Sequence, residues 1–172
     1  MDWIRQILAS ALLLGFAVVG QAAQIRDEYF RTSDGIQLHY RESGAGPKTL
    51  IFIPGWLMPA EIFDAQLRAL GESYHVYAFS PRSQGRSDLY VGRHTAALRA
   101  RDINEFVVHV NAPDSVLVGW SLGVMEALDY VHRYRPVGLR GLVLIDNSIG
   151  AGRPPRPHPQ AAGAAETPET RV

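Results

Sequence analysis

The sequence predicts an α/β domain built on a largely parallel sheet. Short, continuous apolar runs such as "TLIFIPG" at residues 49–55 are typical of strands that are covered on both faces, as in a parallel sheet. Segments with apolar residues at helical spacing follow these runs, and strand and helix alternate along the chain. This alternation predicts parallel strands joined by right-handed crossovers.

Each element has its own signal in the sequence. Two strand-like runs flank Ser33-Asp34-Gly35, and the Asp-Gly pair predicts a tight hairpin turn between antiparallel strands. Thr95 is placed to cap a helix that starts at Ala96, and Pro136 stops a later helix. The remaining predicted elements, in order, are strand 49–55, helix 61–70, strand "YHVYAFS", helix 96–109, strand "SVLVGW", helix 122–134 and strand "LRGLVLIDN".

Composition excludes several classes of function. The chain has 172 residues, enough for one domain, and its 17 basic and 17 acidic residues cancel. A net charge of zero argues against a nucleic-acid partner, and it gives no electrostatic attraction to an anionic membrane surface. The absence of cysteine excludes disulfides, thiolate metal sites and a cysteine nucleophile.

Residues 1–23 have the layout of a secretory signal peptide. Arg5 lies in a short polar start, Ile7 to Gly20 carries no charge, and small residues around Ala22 offer a cleavage site. The apolar stretch is shorter than the roughly 20 residues that span a bilayer. We therefore expect an exported protein, periplasmic or extracellular. The alternative is an uncleaved anchor, which is the only expected link to a membrane.

The character of the sequence changes near residue 150. Residues 151–172 contain five prolines, and Val172 is their only large aliphatic residue. Such a segment buries too little apolar surface to offset its ordering entropy. We expect a disordered Pro- and Ala-rich tail at 151–172 after a domain at 24–150.

The segment "LVGWSLGVMEAL" places a serine where a strand becomes a helix. Ser121 lies between Gly119 and Gly123, in the Gly-x-Ser-x-Gly pattern of a nucleophile elbow. Such a turn lifts the hydroxyl above the sheet, and the start of the helix directs backbone N–H groups at the reacting centre. The alternative is a structural serine in a tight turn.

Three motifs in their order along the chain resemble those of the α/β-hydrolase fold family. They are "IFIPGW", "FSPRSQGRSD" and "GWSLG", and the similarity covers about residues 27–148. The chain resembles the esterase, non-haem haloperoxidase-like and pimeloyl-carrier-protein methyl ester esterase branches. The resemblance implies the amino-terminal portion of a three-layer α/β-hydrolase sheet, a hairpin plus parallel strands, with the C-terminal strands missing.

The resemblance also implies a site. Ser121 corresponds to the nucleophile, and the backbone N–H groups of Trp56 and Leu122 correspond to the oxyanion hole. Asp146 ends the last predicted strand, where some members of the family place the catalytic acid; a turn-forming aspartate is the alternative. The family implies a small-molecule ester or acyl substrate, with no metal and no organic cofactor.

The sequence departs from the family pattern at several positions. Pro54 replaces the usual histidine before Gly55, which leaves the Trp56 donor in place. Ser80 and Ser83 replace the usual aspartate and glycine of the second motif, and we expect a looser loop. None of the six histidines occupies the family's position for the general base: His39, His75, His94, His109, His132 and His158.

These departures leave two hypotheses. The first is an incomplete serine hydrolase, weakly active or inactive because the catalytic histidine is missing, from a fragment or a gene whose reading frame changes near residue 150. The second is a non-catalytic binding or interaction module. In either case the last strand, at 139–146, would have an unpaired apolar edge, which predicts self-association.

Overall fold

The structure is a computed structural model that describes residues 23–147. Both the predicted signal peptide and the predicted tail lie essentially outside this range, so export, cleavage and disorder stay predictions. Within 23–147, no helix combines the length and the apolar character needed to cross a bilayer.

Six strands and three α-helices make up the described part of the chain. The strands are β1 Ile25–Arg31, β2 Gln37–Ser43, β3 Thr49–Ile53, β4 His75–Phe79, β5 Ser115–Trp120 and β6 Gly141–Ile145. The helices are a 3-10 turn at Ala60–Phe63, α1 Asp64–Leu70, α2 Ala96–His109 and α3 Leu122–Tyr134.

The sheet combines the antiparallel hairpin and the parallel strands that the sequence predicts. Its strand order is β1-β2-β4-β3-β5-β6. The β1–β2 hairpin is antiparallel, and β2 also pairs antiparallel with β4. The other pairs, β3 with β4, β3 with β5, and β5 with β6, are parallel. The predicted α/β fold class is confirmed.

Helices cover both faces of the sheet and produce three layers. Ile51 and Ile53 of β3 join a buried cluster with Phe106 of α2 and Ala127 of α3. The intervening Phe52 joins a second cluster, which includes Leu67 of α1. Successive residues of one strand are therefore buried on opposite faces, which explains the uninterrupted apolar run of β3.

Several element boundaries differ from prediction, and β3 and β4 are each two residues shorter than expected. The helix expected at 61–70 is divided into the 3-10 turn and α1, because the chain enters after Pro59 with no side-chain cap and tightens its first turn. The last strand is shorter than expected and covers only Gly141–Ile145. In contrast, Thr95 caps α2 as predicted, with its side chain accepting a hydrogen bond from the Leu98 N–H at 3.2 Å.

The loop after β4 is firmly held, so the expectation that Ser80 and Ser83 loosen it is wrong. Ser80 is fully buried, and its Oγ lies 3.1 Å from His39 Nδ1 and accepts a hydrogen bond from the Ala60 N–H at 3.0 Å. Ser83 adopts φ 62°, in the left-handed region where the family has glycine, and its Oγ accepts a hydrogen bond from the Tyr90 N–H at 2.8 Å.

A buried arginine connects this loop to two other elements. Arg82 has no solvent-exposed side-chain surface and donates to Asp102 of α2 at 2.6 Å and to Asp34 of the hairpin turn at 3.0 Å. Arg101 also pairs with Asp34. The hairpin turn, the loop and α2 are thereby fixed relative to one another.

Candidate active site

Ser121 forms a sharp turn between a strand and a helix. It follows the last residue of β5 and precedes the first residue of α3, with φ 53° and ψ −120°. A positive φ is uncommon for a residue other than glycine and marks local strain. The Ser121 hydroxyl makes no capping hydrogen bond to α3, so it is not occupied in ending the helix.

The two glycines of the elbow are required by close backbone packing. A Cβ atom on Gly123 would lie 2.2 Å from the Ile53 carbonyl oxygen, and one on Gly119 would lie 2.7 Å from the Gly123 carbonyl oxygen. Both distances are far below van der Waals contact, and in both cases the obstacle is backbone. The absence of side chains here lets the first turn of α3 lie against the end of β3.

This packing brings Ser121 next to the loop that follows β3. A Cβ atom on Gly55 would lie 3.0 Å from Ser121 Cβ and 3.4 Å from its Oγ. The next residue is Trp56, whose backbone N–H donates no hydrogen bond to any residue of the described range. Leu122 begins α3, where backbone N–H groups have no partner within the helix. Trp56 thus follows the glycine that lies against Ser121, and Leu122 follows Ser121 itself; their role as oxyanion donors stays a prediction.

Strand β6 places Asp146 at the same edge of the sheet as Ser121. Trp120 pairs with Ile145, and the Ser121 N–H donates to the Ile145 carbonyl at 2.9 Å. Asp146 follows at once, is exposed and has φ 56°; it forms no ion pair within residues 23–147. Its assignment as catalytic acid stays a prediction.

Asn147 also helps to hold the elbow at Ser121, a role that the sequence did not predict. Its Nδ2 donates to the Ser121 carbonyl oxygen at 2.8 Å. The elbow is thus held by a backbone hydrogen bond to the last residue of β6 and by a side-chain hydrogen bond from the segment after β6. An asparagine two residues after a strand carries no sequence signal for this contact, because the contact depends on the pairing of β5 with β6.

A cavity of about 260 Å³ is lined by Trp56 and Leu122, the residues predicted to supply the oxyanion donors. Trp56, Leu122 and Met125 form its apolar side. Its other lining residues are mostly polar or charged, and none was singled out for this role from the sequence: Gln84, His94, Thr95, Ala96, Arg99, Glu126 and Asp129.

A buried ion pair forms part of the cavity wall. Arg99 of α2 donates to Glu126 of α3 at 2.8 and 3.3 Å, and both residues are more than nine-tenths buried. Burial raises the pKa of Glu126, and the Arg99 guanidinium opposes this rise. In the sequence, this ion pair is visible only as one charged residue, Arg99, at a core-facing position of α2 and another, Glu126, at a core-facing position of α3.

No histidine is hydrogen-bonded to Ser121 within residues 23–147. His39 is fully buried and its ring bonds to Ser80 and Asp27. His94 lines the cavity that Trp56 and Leu122 also line. The others lie elsewhere: His75 beside Tyr77, His109 beside Tyr40, His132 at the end of α3, and His158 beyond the described residues.

One group of side chains has the spacing of metal ligands. Asp27, His39 and Glu61 bring ligand atoms within 4.8 Å of one another. Two arginines already neutralise the carboxylates, since Arg41 pairs with Asp27 at 2.9 Å and Arg86 pairs with both carboxylates at 3.2 Å. The cluster is therefore satisfied as an ion-pair network that joins the hairpin to the rest of the fold.

Comparison with known proteins identifies related sequences. A non-heme chloroperoxidase, CPO-A1, from Kitasatospora aureofaciens is 30% identical over 115 residues, which cover 66% of this chain and 42% of that protein. The serine hydrolase BPHL from Homo sapiens is 30% identical over 128 residues, 67% of this chain and 44% of that protein. The chain thus spans less than half the length of these relatives.

Comparison with solved structures agrees with the sequence comparison. An esterase (EaEST) from Exiguobacterium antarcticum superimposes with a TM-score of 0.64 at 25% identity, over 67% of this chain and 43% of that one. A putative aryl esterase from Burkholderia cenocepacia superimposes with a TM-score of 0.63 at 28% identity, over 73% and 48%.

The family model for the alpha/beta hydrolase family matches residues 50–171, which is more than half of the chain. This match includes all of β3 but its first residue, the elbow and β6, the elements that form the candidate site. The chain therefore belongs to the alpha/beta hydrolase family.

Proposed function

We propose that the protein is a serine hydrolase that cleaves an ester or a similar acyl bond through Ser121. The observation that carries the proposal is the strained elbow, in which a hydroxyl that caps no helix lies against Gly55, between two unengaged backbone donors. A reactive serine needs exposure and nearby donors more than it needs local stability, which is why strain at this position supports a function.

The reaction would follow from this geometry. Ser121 Oγ attacks the carbonyl carbon, and its proton passes to a base. The carbonyl oxygen becomes an oxyanion that accepts hydrogen bonds from the N–H groups of Trp56 and Leu122. Collapse of the tetrahedral intermediate releases the alcohol and leaves an acyl-enzyme, which water then hydrolyses to regenerate the serine.

The proposed activity is weak. Within residues 23–147 no histidine contacts Ser121, and a serine hydroxyl without a base is a poor nucleophile. Loss of the base histidine costs about a million-fold in turnover in a well-studied serine protease, and an oxyanion hole alone retains roughly 10³–10⁴-fold over water. Among the histidines of the described range, His94 is the one that lines the cavity beside Trp56 and Leu122.

Labelling with a fluorophosphonate probe tests the proposal, because such probes react only with an activated serine. We expect slow labelling that maps to Ser121 and disappears in Ser121→Ala, and His94→Gln should slow it further if this ring takes the proton. Ser73→Ala, which removes an exposed hydroxyl, is the control and should label like the original chain. Labelling that persists in Ser121→Ala would refute the assignment.

A non-catalytic binding module is the second candidate function. The observation that favours it is that no histidine or carboxylate of the described range is hydrogen-bonded to the Ser121 hydroxyl. It predicts a cooperatively folded protein that no fluorophosphonate labels, even after prolonged exposure at high pH. Its ligand would still occupy the cavity beside Trp56 and Leu122.

We also propose that the protein is exported. The layout of residues 1–23 supports a cleaved signal peptide. Expression of the full chain followed by cell fractionation and N-terminal sequencing tests it: we expect a periplasmic or secreted product that begins near Ala23. Recovery of the uncleaved chain in the membrane fraction would instead indicate an anchor.

A further inference from the structure

An open apolar cavity of about 320 Å³ lies beside α1, on the face of the sheet opposite to α2 and α3. Its lining residues are Phe52, Ile62, Phe63, Gln66, Trp120 and Ile145. Phe52 and Phe63 are almost fully buried, and their ring centroids are 4.8 Å apart. The other four residues are partly or largely exposed, 37% for Ile62 and 42% for Ile145, so a ligand reaches them directly.

The chemistry of this cavity favours a proline-rich ligand. Three of its six lining residues are aromatic, and none is charged. Grooves lined by aromatic side chains bind Pro-x-x-Pro segments in the polyproline II conformation, which such segments adopt at little cost in conformational entropy. The carbonyl groups of a polyproline II helix make no internal hydrogen bonds, so they can accept from donors such as the Trp120 indole or the Gln66 carboxamide.

The chain itself contains a segment of this kind beyond the described range. Residues 153–159 read Arg-Pro-Pro-Arg-Pro-His-Pro and include a Pro-x-x-Pro pattern at Pro154 and Pro157. A polyproline II helix has three residues per turn, so these two prolines would share one face of it, about 9 Å apart. Arg153 and Arg156 have the same spacing and would share a different face.

The connection to this segment starts beside the cavity. Ile145, the last residue of β6, pairs with Trp120, and both line the cavity. Two residues later, the Asn147 side chain donates to the Ser121 carbonyl oxygen at 2.8 Å, which fixes the start of the connection. The seven steps from Asn147 to Pro154 span up to about 25 Å when extended. Such a short tether gives an effective concentration in roughly the millimolar range, so that even a weak contact is populated.

The charges at this point are complementary. Asp146 lies next to Ile145, is exposed and forms no ion pair within residues 23–147. The proline-rich segment carries Arg153 and Arg156. An exposed ion pair contributes only about 0–1 kcal/mol. We therefore assign it the role of orienting the segment, while the contact with the aromatic rings supplies the affinity.

We propose that residues 153–157 dock in this cavity as one turn of polyproline II helix, with Pro154 and Pro157 in contact with Trp120. The segment is an intramolecular ligand that covers the open face beside β6. The rest of the tail keeps its predicted disorder. The proposal does not depend on any reaction at Ser121, so the outcome of fluorophosphonate labelling does not bear on it.

A spin label in the tail tests the docking in the full chain. The chain has no cysteine, so Ala161→Cys places a single nitroxide four residues after Pro157. The methyl signal of Ile62 is the reporter, because Ile145 is so close to the tail in sequence that any tail conformation broadens its signal. We expect strong broadening for Ile62 and much less for Ile36, which packs on the opposite face of the sheet.

Variants of the tail isolate the contribution of the docking face without touching the folded domain. The double variant Pro154→Ala and Pro157→Ala removes both rings from that face. We expect it to lower the ratio of docked to free tail about tenfold, with a matching loss of Ile62 broadening. The control, Pro159→Ala and Pro168→Ala, removes the same number of prolines outside the docked turn and should broaden Ile62 like the original tail.

A mixed sample distinguishes docking within one chain from docking between two copies. Spin-labelled chains without isotope are mixed with isotope-labelled chains that carry no spin label. We expect no broadening of Ile62 in this mixture. Broadening there would show that the tail of a second copy occupies the cavity, and it would overturn the proposal. An Ile62 signal that is not broadened in the spin-labelled chain itself would also overturn it, as would broadening that survives in the variant at Pro154 and Pro157.

Discussion

At the scale of single residues, the elbow depends on two glycines that leave room for close backbone packing. The elbow requires that neither Gly119 nor Gly123 carry a Cβ, because strand and helix backbones approach too closely. The strain at Ser121 persists because these contacts and the hydrogen bonds from β6 fix its backbone.

Substitution of Gly123 by alanine should therefore be costly. We expect Gly123→Ala to destabilise the protein by about 1–3 kcal/mol, because the added Cβ meets the Ile53 carbonyl and α3 must move away from β3. Urea unfolding would measure the change. Gly141→Ala is the control: a Cβ there meets nothing within 4 Å, and the stability should change little. Equal effects of the two changes would contradict the packing argument.

Ser80 and Ser115 form a second matched pair. Both are fully buried, but Ser80 Oγ bonds to the Ala60 N–H and His39, whereas Ser115 Oγ has no partner in the described range. We expect Ser80→Ala to lower the free energy of unfolding by about 1–3 kcal/mol, since it leaves two buried groups unpaired. Ser115→Ala should be neutral or stabilising. A reversed order in denaturant midpoints would show that the Ser80 contacts are dispensable.

At the scale of elements, one buried arginine connects the hairpin to α2. The hydrogen bond from Arg82 to Asp34 is the main cause that lowers the pKa of Asp34, although partial burial acts in the opposite direction. A carboxylate whose pKa is lower in the folded state stabilises the fold above its unfolded pKa of about 3.9 and loses that contribution as the pH falls further.

Asp34→Asn should therefore make the free energy of unfolding depend less on pH under acidic conditions. We expect the unfolding free energy of the original chain to fall more steeply between about pH 4 and pH 2 than that of the variant. Urea titrations across this range measure both slopes. Asp114→Asn, which removes an exposed carboxylate paired with Arg140, serves as control and should retain the steep limb. Parallel profiles for the original chain and Asp34→Asn would refute the linkage.

The sequence predicted most elements because their signals are local. Thr95 and Pro136 marked ends of α2 and α3, and the Gly-x-Ser-x-Gly pattern marked the elbow. The 3-10 turn before α1 was not predicted, since it shares its apolar spacing with an α-helix. The cavity was not predicted either, because Gln84, Arg99 and Glu126 come together only when the loop after β4 packs on two helices.

At the scale of the whole molecule, β6 is paired on one side only within the described range. Val143, Leu144 and Ile145 are between 37% and 45% exposed, and their strand is bonded only to β5. An open strand edge with apolar residues is a template for pairing with another chain. We propose that two copies associate through this edge.

A lysine at the edge would oppose such pairing. We expect Val143→Lys to weaken self-association by about tenfold, equivalent to about 1.4 kcal/mol. Sedimentation velocity over a range of concentrations would measure it. Val137→Lys is the matched control, because Val137 is 95% exposed but lies in the loop before β6, and it should leave association unchanged. A chain that stays monomeric at every concentration would refute the proposal.

The hydrogen bonds of His39 form a second serine–histidine–aspartate arrangement, away from Ser121. Its ring connects Ser80 to Asp27, which reproduces the serine–histidine–aspartate connectivity of a hydrolase, yet the serine and the imidazole are sealed from solvent. We expect replacement of His39 to reduce labelling of Ser121 by disrupting the loop that Ser80 holds, so a kinetic screen alone would identify His39 wrongly as the base. Only a variant whose near-UV dichroism is intact can nominate the true one.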